Sequence, residues 1–309
     1  MKIIIVTDAW HPQVNGVVRT LDTTGQYLRK LGHDVRFITP QDFKTIPCPT
    51  YPQIRLAVFP ARGVRQLLDE FLPDAIHIAT EGPLGHAAHK YCCSRGLPFT
   101  TSFHTQFPEY VRLRAPVPIA WSYAYLRRFH GKAERTFVPT HSQRELLEKW
   151  RFRNLRLWSR GVDMETFNPQ DAVEYDLPGP IMMYMGRVAV EKNIEAFLDL
   201  DLPGSKVVIG DGPDFEKLLA GYPDVHFTGA KFGRELARHV AGGDVFVFPS
   251  KTDTFGLVLL EAMACGLPVA AYPVQGPVDV INDGVSGVLD EDLGSAIKAA
   301  LQLSSEDCL

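Results

Sequence analysis

Short apolar runs rich in β-branched residues alternate along this chain with stretches whose apolar positions recur at helical spacing. KIIIVT (2–7) predicts a strand, and DAWHPQVNG then turns into a helix with apolar positions through Tyr27, Leu28 and Leu31, stopping at Gly32. DVRFIT follows at once as a second strand. Further strands are predicted at IRLAVF (54–59), AIHIAT (75–80), PFTTSF (98–103), TFVPT (136–140) and LRLWS (155–159). From Gly161 to Pro180 the periodicity fades while proline, glycine and acid accumulate, as at a domain boundary. The rhythm restarts with IMMYMG (181–186), KVVIGDGP (206–213), VHFTGAK (225–231) and DVFVFP (244–249). Strand–helix–strand order of this kind predicts an α/β protein: two doubly wound, parallel-sheet domains, 1–165 and 166–309. No internal repeat or low-complexity tract interrupts it.

The pattern is sharpest from Pro249 to Pro273, PSKTDTFGLVLLEAMACGLPVAAYP. A buried strand ends in proline, TDTFG makes the turn, and LVLLEAMA has the spacing of a helix. Ligands of open α/β sheets bind at such strand ends, where a helix N-terminus offers N–H groups to an anion. Asp253 and Glu261 stand about two helical turns apart. Asp253 reads equally as a helix cap, and Glu261 as a ligand or as a solvated helix edge. Arg187 and Lys192 follow the strand ending at Gly186, where cations suit phosphate; pairing with Glu191 and Glu195 is the plainer alternative. Asn15-Gly16 is either a close-approach turn for a ligand or an ordinary turn, and His104, just after a strand, either faces a cleft or is structural. There is no G-x-G-x-x-G after the first strand, which argues against a standard dinucleotide fingerprint.

Composition changes the picture in one respect. With 309 residues and 45% hydrophobic content the chain can bury two domain cores. Its net charge of −4, however, hides a division: residues 1–160 carry 23 Lys+Arg against 12 Asp+Glu, a balance of +11, and residues 161–309 balance at −15. The densest basic stretch, from Arg112 to Arg160, is interleaved with aromatics; Arg112, Arg114, Trp121, Tyr125, Arg127 and Arg128 suit an anionic membrane surface. A nucleic acid fits the acidic second half poorly, and a solvated helix face is the plain alternative. Five cysteines without metal-ligand spacing point to a reduced, cytoplasmic protein and no metal site. No run reaches the ~18 apolar residues of a spanning helix, so the expected membrane contact is peripheral, on the inner face.

The ordered motifs resemble those of retaining glycosyltransferases of family four, which have the GT-B fold. Gly186-Arg187 with Lys192-Asn193, GDGP (210–213) and the segment 249–271 match the donor domain. NGV (15–17), HTQFPEY (104–110) and RGVD (160–163) match its other signposts. The resemblance implies two Rossmann-like domains facing a central cleft and a nucleotide-sugar substrate, with no cofactor. It implies that Arg187 and Lys192 hold the diphosphate, that Glu261 bonds the ribose, and that Asp253 contacts sugar hydroxyls. Thr254, Phe255, Gly256 and Leu257 would offer backbone N–H groups, Gly16 would approach the diphosphate, and His104 would sit by the reacting sugar. Front-face retention without a metal, and a hexose passed to a membrane lipid, are further implications. The alternatives are a soluble glycan acceptor, a catalytically weakened nucleotide-sugar-binding protein, and a phosphorylase or epimerase on the same architecture.

The chain departs from the family pattern in two places. Asp253 stands where the family usually has Glu, and the chain stops at Leu309 just after AIKAALQL, before the helix that in family members crosses back to the first domain.

Overall fold

A computed structural model describes residues 1–13, 15–48, 51–114 and 117–309; the side chains of Tyr51, Pro52, Gln53, Tyr110, Val111, Leu113 and Arg114 lie outside the description. The chain divides into two compact units, Met1–Ser159 and Arg160–Leu309, upstream of the boundary expected after residue 165.

In the first unit, β1 (Lys2–Val6) leads into α1 (Gly16–Lys30) and β2 (Asp34–Ile38). Ile4 and Val6 face one core layer and Ile5 the other, which is why KIIIV reads as a continuous apolar run. The helix starts where Asn15 accepts hydrogen bonds from the backbone N–H groups of Val17 and Val18, both at 3.0 Å. Its last turn carries Arg29 and Lys30, favourable at the negative end of the helix dipole.

A hairpin follows, β3 (Thr45–Cys48) and β4 (Tyr51–Ala57), then α2 (Ala61–Phe71) and β5 (Ala75–Ile78). The strand expected at 54–59 is therefore not part of the main sheet; it pairs antiparallel with β3. Ile54, Arg55, Leu56 and Val58 are half-buried and of residues 54–58 only Ala57 reaches the core, unlike β1, whose Ile4, Ile5 and Val6 are all buried between two layers. The rest of the unit is α3 (Pro83–Arg95), β6 (Thr100–Ser102), α4 (Phe107–Arg114), α5 (Ile119–His130), β7 (Arg135–Val138), α6 (His141–Lys149) and β8 (Leu155–Leu157). The sheet is parallel throughout, in the order β2-β1-β5-β6-β7-β8.

The second unit opens with β9 (Ile181–Met185), buried at every position, and continues through α7 (Glu195–Leu198), β10 (Ser205–Ile209), α8 (Phe215–Gly221) and β11 (His226–Gly229). After α9 (Gly233–Ala241) come β12 (Val245–Phe248), α10 (Leu257–Ala264), β13 (Val269–Ala271), α11 (Pro277–Val280), β14 (Gly287–Leu289) and α12 (Leu293–Ala300). Its parallel sheet runs β11-β10-β9-β12-β13-β14, the order of a Rossmann domain. Met183, Phe246 and Phe248 pack one face and Met182, Tyr184, Val245 and Val247 the other. In each sheet the order reverses beside the first strand, between β1 and β5 in one unit and between β9 and β12 in the other. Such a reversal leaves a crevice at the strands' carboxyl ends.

Candidate active site

The second unit's crevice is bounded by the loops after β9 and β12. The β9 loop runs from Gly186 through Arg187 to a short 3-10 turn, Val190–Lys192, closed by Asn193 in the left-handed region at φ 53°. Asn193 Nδ2 then donates to the Pro249 carbonyl at 3.0 Å, and the Thr252 hydroxyl donates to the Glu191 carbonyl at 3.3 Å. These bonds stitch the two loops together, and the side chains between them meet. Lys192 Nζ lies 2.6 and 2.9 Å from the two oxygens of Asp253, with the side chains only 20% and 16% exposed.

That geometry settles two open alternatives. Asp253 does not cap α10: the residue before the helix is Gly256, in the left-handed region at φ 81° with no side-chain cap bond. Lys192 pairs with Asp253, and Glu195, one of the two acids offered as plainer partners, is held by Lys217 at 2.8 Å. Glu261 is 4% exposed, so it is no solvated edge. A carboxylate at this depth, one helix from a lysine–aspartate pair, is held by the fold for a polar contact. Phe255 is buried beneath the turn, and Thr254, Gly256 and Leu257 are half-buried where the helix begins.

The backbone N–H groups of the neighbouring glycine loops are used within the unit: Gly186 donates to Ile209, Val188 to Asp211 and Gly210 to Gly229. A Cβ on Gly210 would stand 1.8 Å from the Gly186 carbonyl oxygen, and one on Gly212 would stand 2.2 Å from that of Val188. Glycine is needed there so that loops can stack backbone on backbone. Gly276, at φ 90°, is a contributor that motif reading missed; a Cβ there would lie 3.1 Å from the carbonyl oxygens of Asp253 and Phe255, so it buttresses the turn. Its signal was the glycine before proline in QGP, and that of Asn193 was an asparagine, the commonest left-handed residue after glycine.

In the first unit, Gly16 begins α1 and is exposed, and His104 follows β6, half-buried with its ring edge-on to Trp158 at 6.1 Å. On α5, Trp121 (72% exposed), Tyr125 (48%) and the exposed Arg128 share one face by their spacing, and Arg112 is exposed on α4. Arg127 departs from the expected basic face: it is half-buried and donates to the Trp150 carbonyl at 2.9 Å. Tyr123, fully buried, stacks on Trp150 at 4.3 Å. The side chain of Arg114 lies outside the described residues. Among the described residues no helix is long and apolar enough to cross a membrane, and no group of three His, Cys, Asp or Glu is set to hold a metal ion.

Comparison with known proteins names the architecture. Residues 14–166 match Glycosyltransferase Family 4, and residues 179–306 match Glycosyl transferases group 1. A GDP-mannose-dependent alpha-mannosyltransferase of Mycobacterium tuberculosis is 30% identical over 94% of this chain and 83% of its own length. The chain belongs to glycosyltransferase family 4. Among the transferase's other relatives, the sulfoquinovosyl transferase SQD2 of Arabidopsis thaliana is 32% identical over 89% of the chain, which spans 60% of that relative's length. The alpha-monoglucosyldiacylglycerol synthase of Streptococcus pneumoniae is 28% identical over 97% of the chain and 78% of its own length. The solved sucrose-phosphate synthase of Thermosynechococcus elongatus superposes with a TM-score of 0.79 at 22% identity, covering 99% of this chain and 92% of that one. The transferase is thus an enzyme of the GT-B fold that uses a nucleotide sugar.

Proposed function

We propose that the transferase moves a hexose with retention, and without a metal, from a nucleoside-diphosphate sugar (GDP-mannose or a UDP-sugar) to a hydroxyl of a membrane lipid at the cytoplasmic face. The observation that carries the reading is the Lys192–Asp253 pair at the second unit's strand reversal, with Arg187 on the same β9 loop and buried Glu261 on α10, the helix that follows the Asp253 turn. In this reading Arg187 and Lys192, with the α10 dipole, meet the charge that grows on the departing diphosphate. Glu261 accepts from ribose hydroxyls, Asp253 from sugar hydroxyls, and the backbone of 254–257 donates to donor oxygens. Gly16 and His104 are the first unit's candidates for the roles that the family resemblance implies for them. The lipid acceptor is supported by the exposed Trp121, Tyr125 and Arg128, and by the diacylglycerol for which the Streptococcus pneumoniae relative is named.

A donor panel assayed by nucleoside diphosphate release, with and without lipid vesicles, tests this. Release from one donor, stimulated by lipid and unaffected by chelator, is expected, with an α-linked product by NMR. Lys192→Ala should lower release by about a hundredfold or more, the scale of removing a group that stabilises transition-state charge, and Glu261→Ala should lower release at subsaturating donor by about tenfold or more, the scale of losing a charged hydrogen bond. Unchanged turnover in either sinks the site assignment. A second reading, donor binding with weakened transfer, is favoured by the Lys192–Asp253 pair, which commits the lysine to a carboxylate. It predicts saturable donor binding without release.

A further inference from the structure

The first unit has its own strand reversal, between β1 and β5, and the groups gathered there are not used by the donor reading. Asp8, just after β1, is 6% exposed and accepts hydrogen bonds from the Thr80 hydroxyl at 2.9 Å, from Leu84 N–H at 2.8 Å and from Gly85 N–H at 3.2 Å. Its own N–H donates back to Thr80 Oγ1 at 2.7 Å. Asp8 thus caps α3 from a different loop and uses up that helix's N-terminal donors, so the helix end is not an anion site. A Cβ on Gly82 would come within 2.4 Å of the Asp8 carboxylate, which is why glycine stands there. The turn from Thr80 to Gly85 is locked on both sides of Glu81.

Glu81 is held from behind as well. His130, 1% exposed, has both ring nitrogens engaged: Nδ1 lies 2.9 Å from the Thr101 hydroxyl and Nε2 lies 3.0 Å from Glu81 Oε1. Thr101 in turn meets the Thr136 hydroxyl at 3.0 Å, deep in the sheet. The Glu81 side chain remains 23% exposed, with Oε2 outside any protein hydrogen bond among the described residues. A carboxylate oriented by a buried histidine, with one oxygen toward solvent at a strand reversal, is preorganised to accept a hydrogen bond from a ligand. The surroundings define which ligand. His86 and Tyr125 bond to one another beside it, and the Glu81 charge acts on both: it adds to the rise that burial gives the Tyr125 phenol and opposes the fall that burial gives the His86 imidazole. Tyr125 belongs to the exposed α5 face with Trp121. A carboxylate beside the exposed Tyr125 ring suits a polyhydroxylated ring, whose hydroxyls need acceptors and whose C–H face packs on an aromatic.

We propose that Glu81, positioned by His130, binds a hydroxyl of a polyhydroxylated acceptor headgroup at the first unit's strand reversal. The assignment rests on the glycosyl-transfer reading and specifies its acceptor side. The headgroup chemistry is shared by glycolipids and soluble glycosides, so the full chain is assayed with two probes bearing the same sugar: a glucosyl diacylglycerol in vesicles and octyl glucoside in solution. Glu81→Gln keeps an acceptor oxygen for His130 and removes the charge. It should raise the acceptor concentration for half-maximal stimulation by about tenfold or more, the effect of losing a charged hydrogen bond. Acceptor-free nucleoside diphosphate release, donor KM and melting temperature should stay as in wild type. Glu81→Asp should recover part of the loss, and saturation-transfer NMR of octyl glucoside should weaken with Glu81→Gln. An unchanged acceptor dependence in Glu81→Gln overturns the proposal, as does a joint fall of basal and stimulated rates with a lower melting temperature, which makes the pair structural. A wild-type chain with no donor-dependent release counts instead against the transferase reading, and stimulation by only one probe decides between lipid and soluble acceptor.

Discussion

Glu109 illustrates how one residue of a recognised motif can be structural in its own unit. It sits on α4 with the Tyr123 hydroxyl donating to its Oε1 at 2.6 Å, while Oε2 is buried without a hydrogen-bond partner among the described residues. Burial pushes its carboxyl above the ordinary value of 4.5, against the lowering effect of the Tyr123 bond. A carboxyl raised in the native state holds its proton more tightly there than in the unfolded chain. Its contribution to stability is therefore fullest below the unfolded value and is lost as pH rises through the native one. Glu109→Gln does not titrate, so its melting temperature relative to wild type should climb as pH rises above the ordinary value of 4.5. A difference that stays flat with pH contradicts the burial account. At the same scale, the sequence singled out Asp253 and Lys192 as separate contacts, and their direct pairing at 2.6 Å was not legible because it joins positions on different loops.

At the scale of elements, most strand and helix starts were legible because local chemistry determines them. Asn15 is the clearest case: its side chain takes two first-turn N–H groups of α1, so Asn15-Gly16 is a helix start. Asn15→Ala should cost about 1 kcal/mol, lowering the unit's melting temperature by a few degrees, ~2–4 °C, in calorimetry. A shift within error would mean that packing of Val18 and Leu21 alone sets the helix boundary. The 54–59 strand went to a hairpin instead of the main sheet because partner choice depends on the neighbouring chain, not on local propensity.

Over the whole molecule the dominant feature is the division of charge, +11 over residues 1–160 against −15 over 161–309. Trp121, Tyr125, Arg128 and Arg112 put exposed aromatic and basic groups on the positive side. Vesicle co-sedimentation should therefore show binding to anionic but not neutral lipid, falling as salt rises from about 0.05 M to about 0.5 M, since the Debye length shrinks below the spacing of surface charges. Equal binding to both lipids, or salt-independent binding, removes the electrostatic account.

By itself the sequence determined the α/β alternation, the two units and the family, because apolar periodicity, glycine placement and caps act within a few residues of each other. It also marked Arg187, Lys192, Asp253 and Glu261 as residues of one region. Tertiary structure alone decided what these residues face: that Lys192 meets Asp253, that Glu261 is buried, that the GDGP glycines pack loop on loop, and that Arg127 turns inward to Trp150. It alone brought Asp8 to Thr80 and His130 to Glu81. Such contacts join residues tens of positions apart, and strand order, which no local pattern encodes, determines which loops become neighbours.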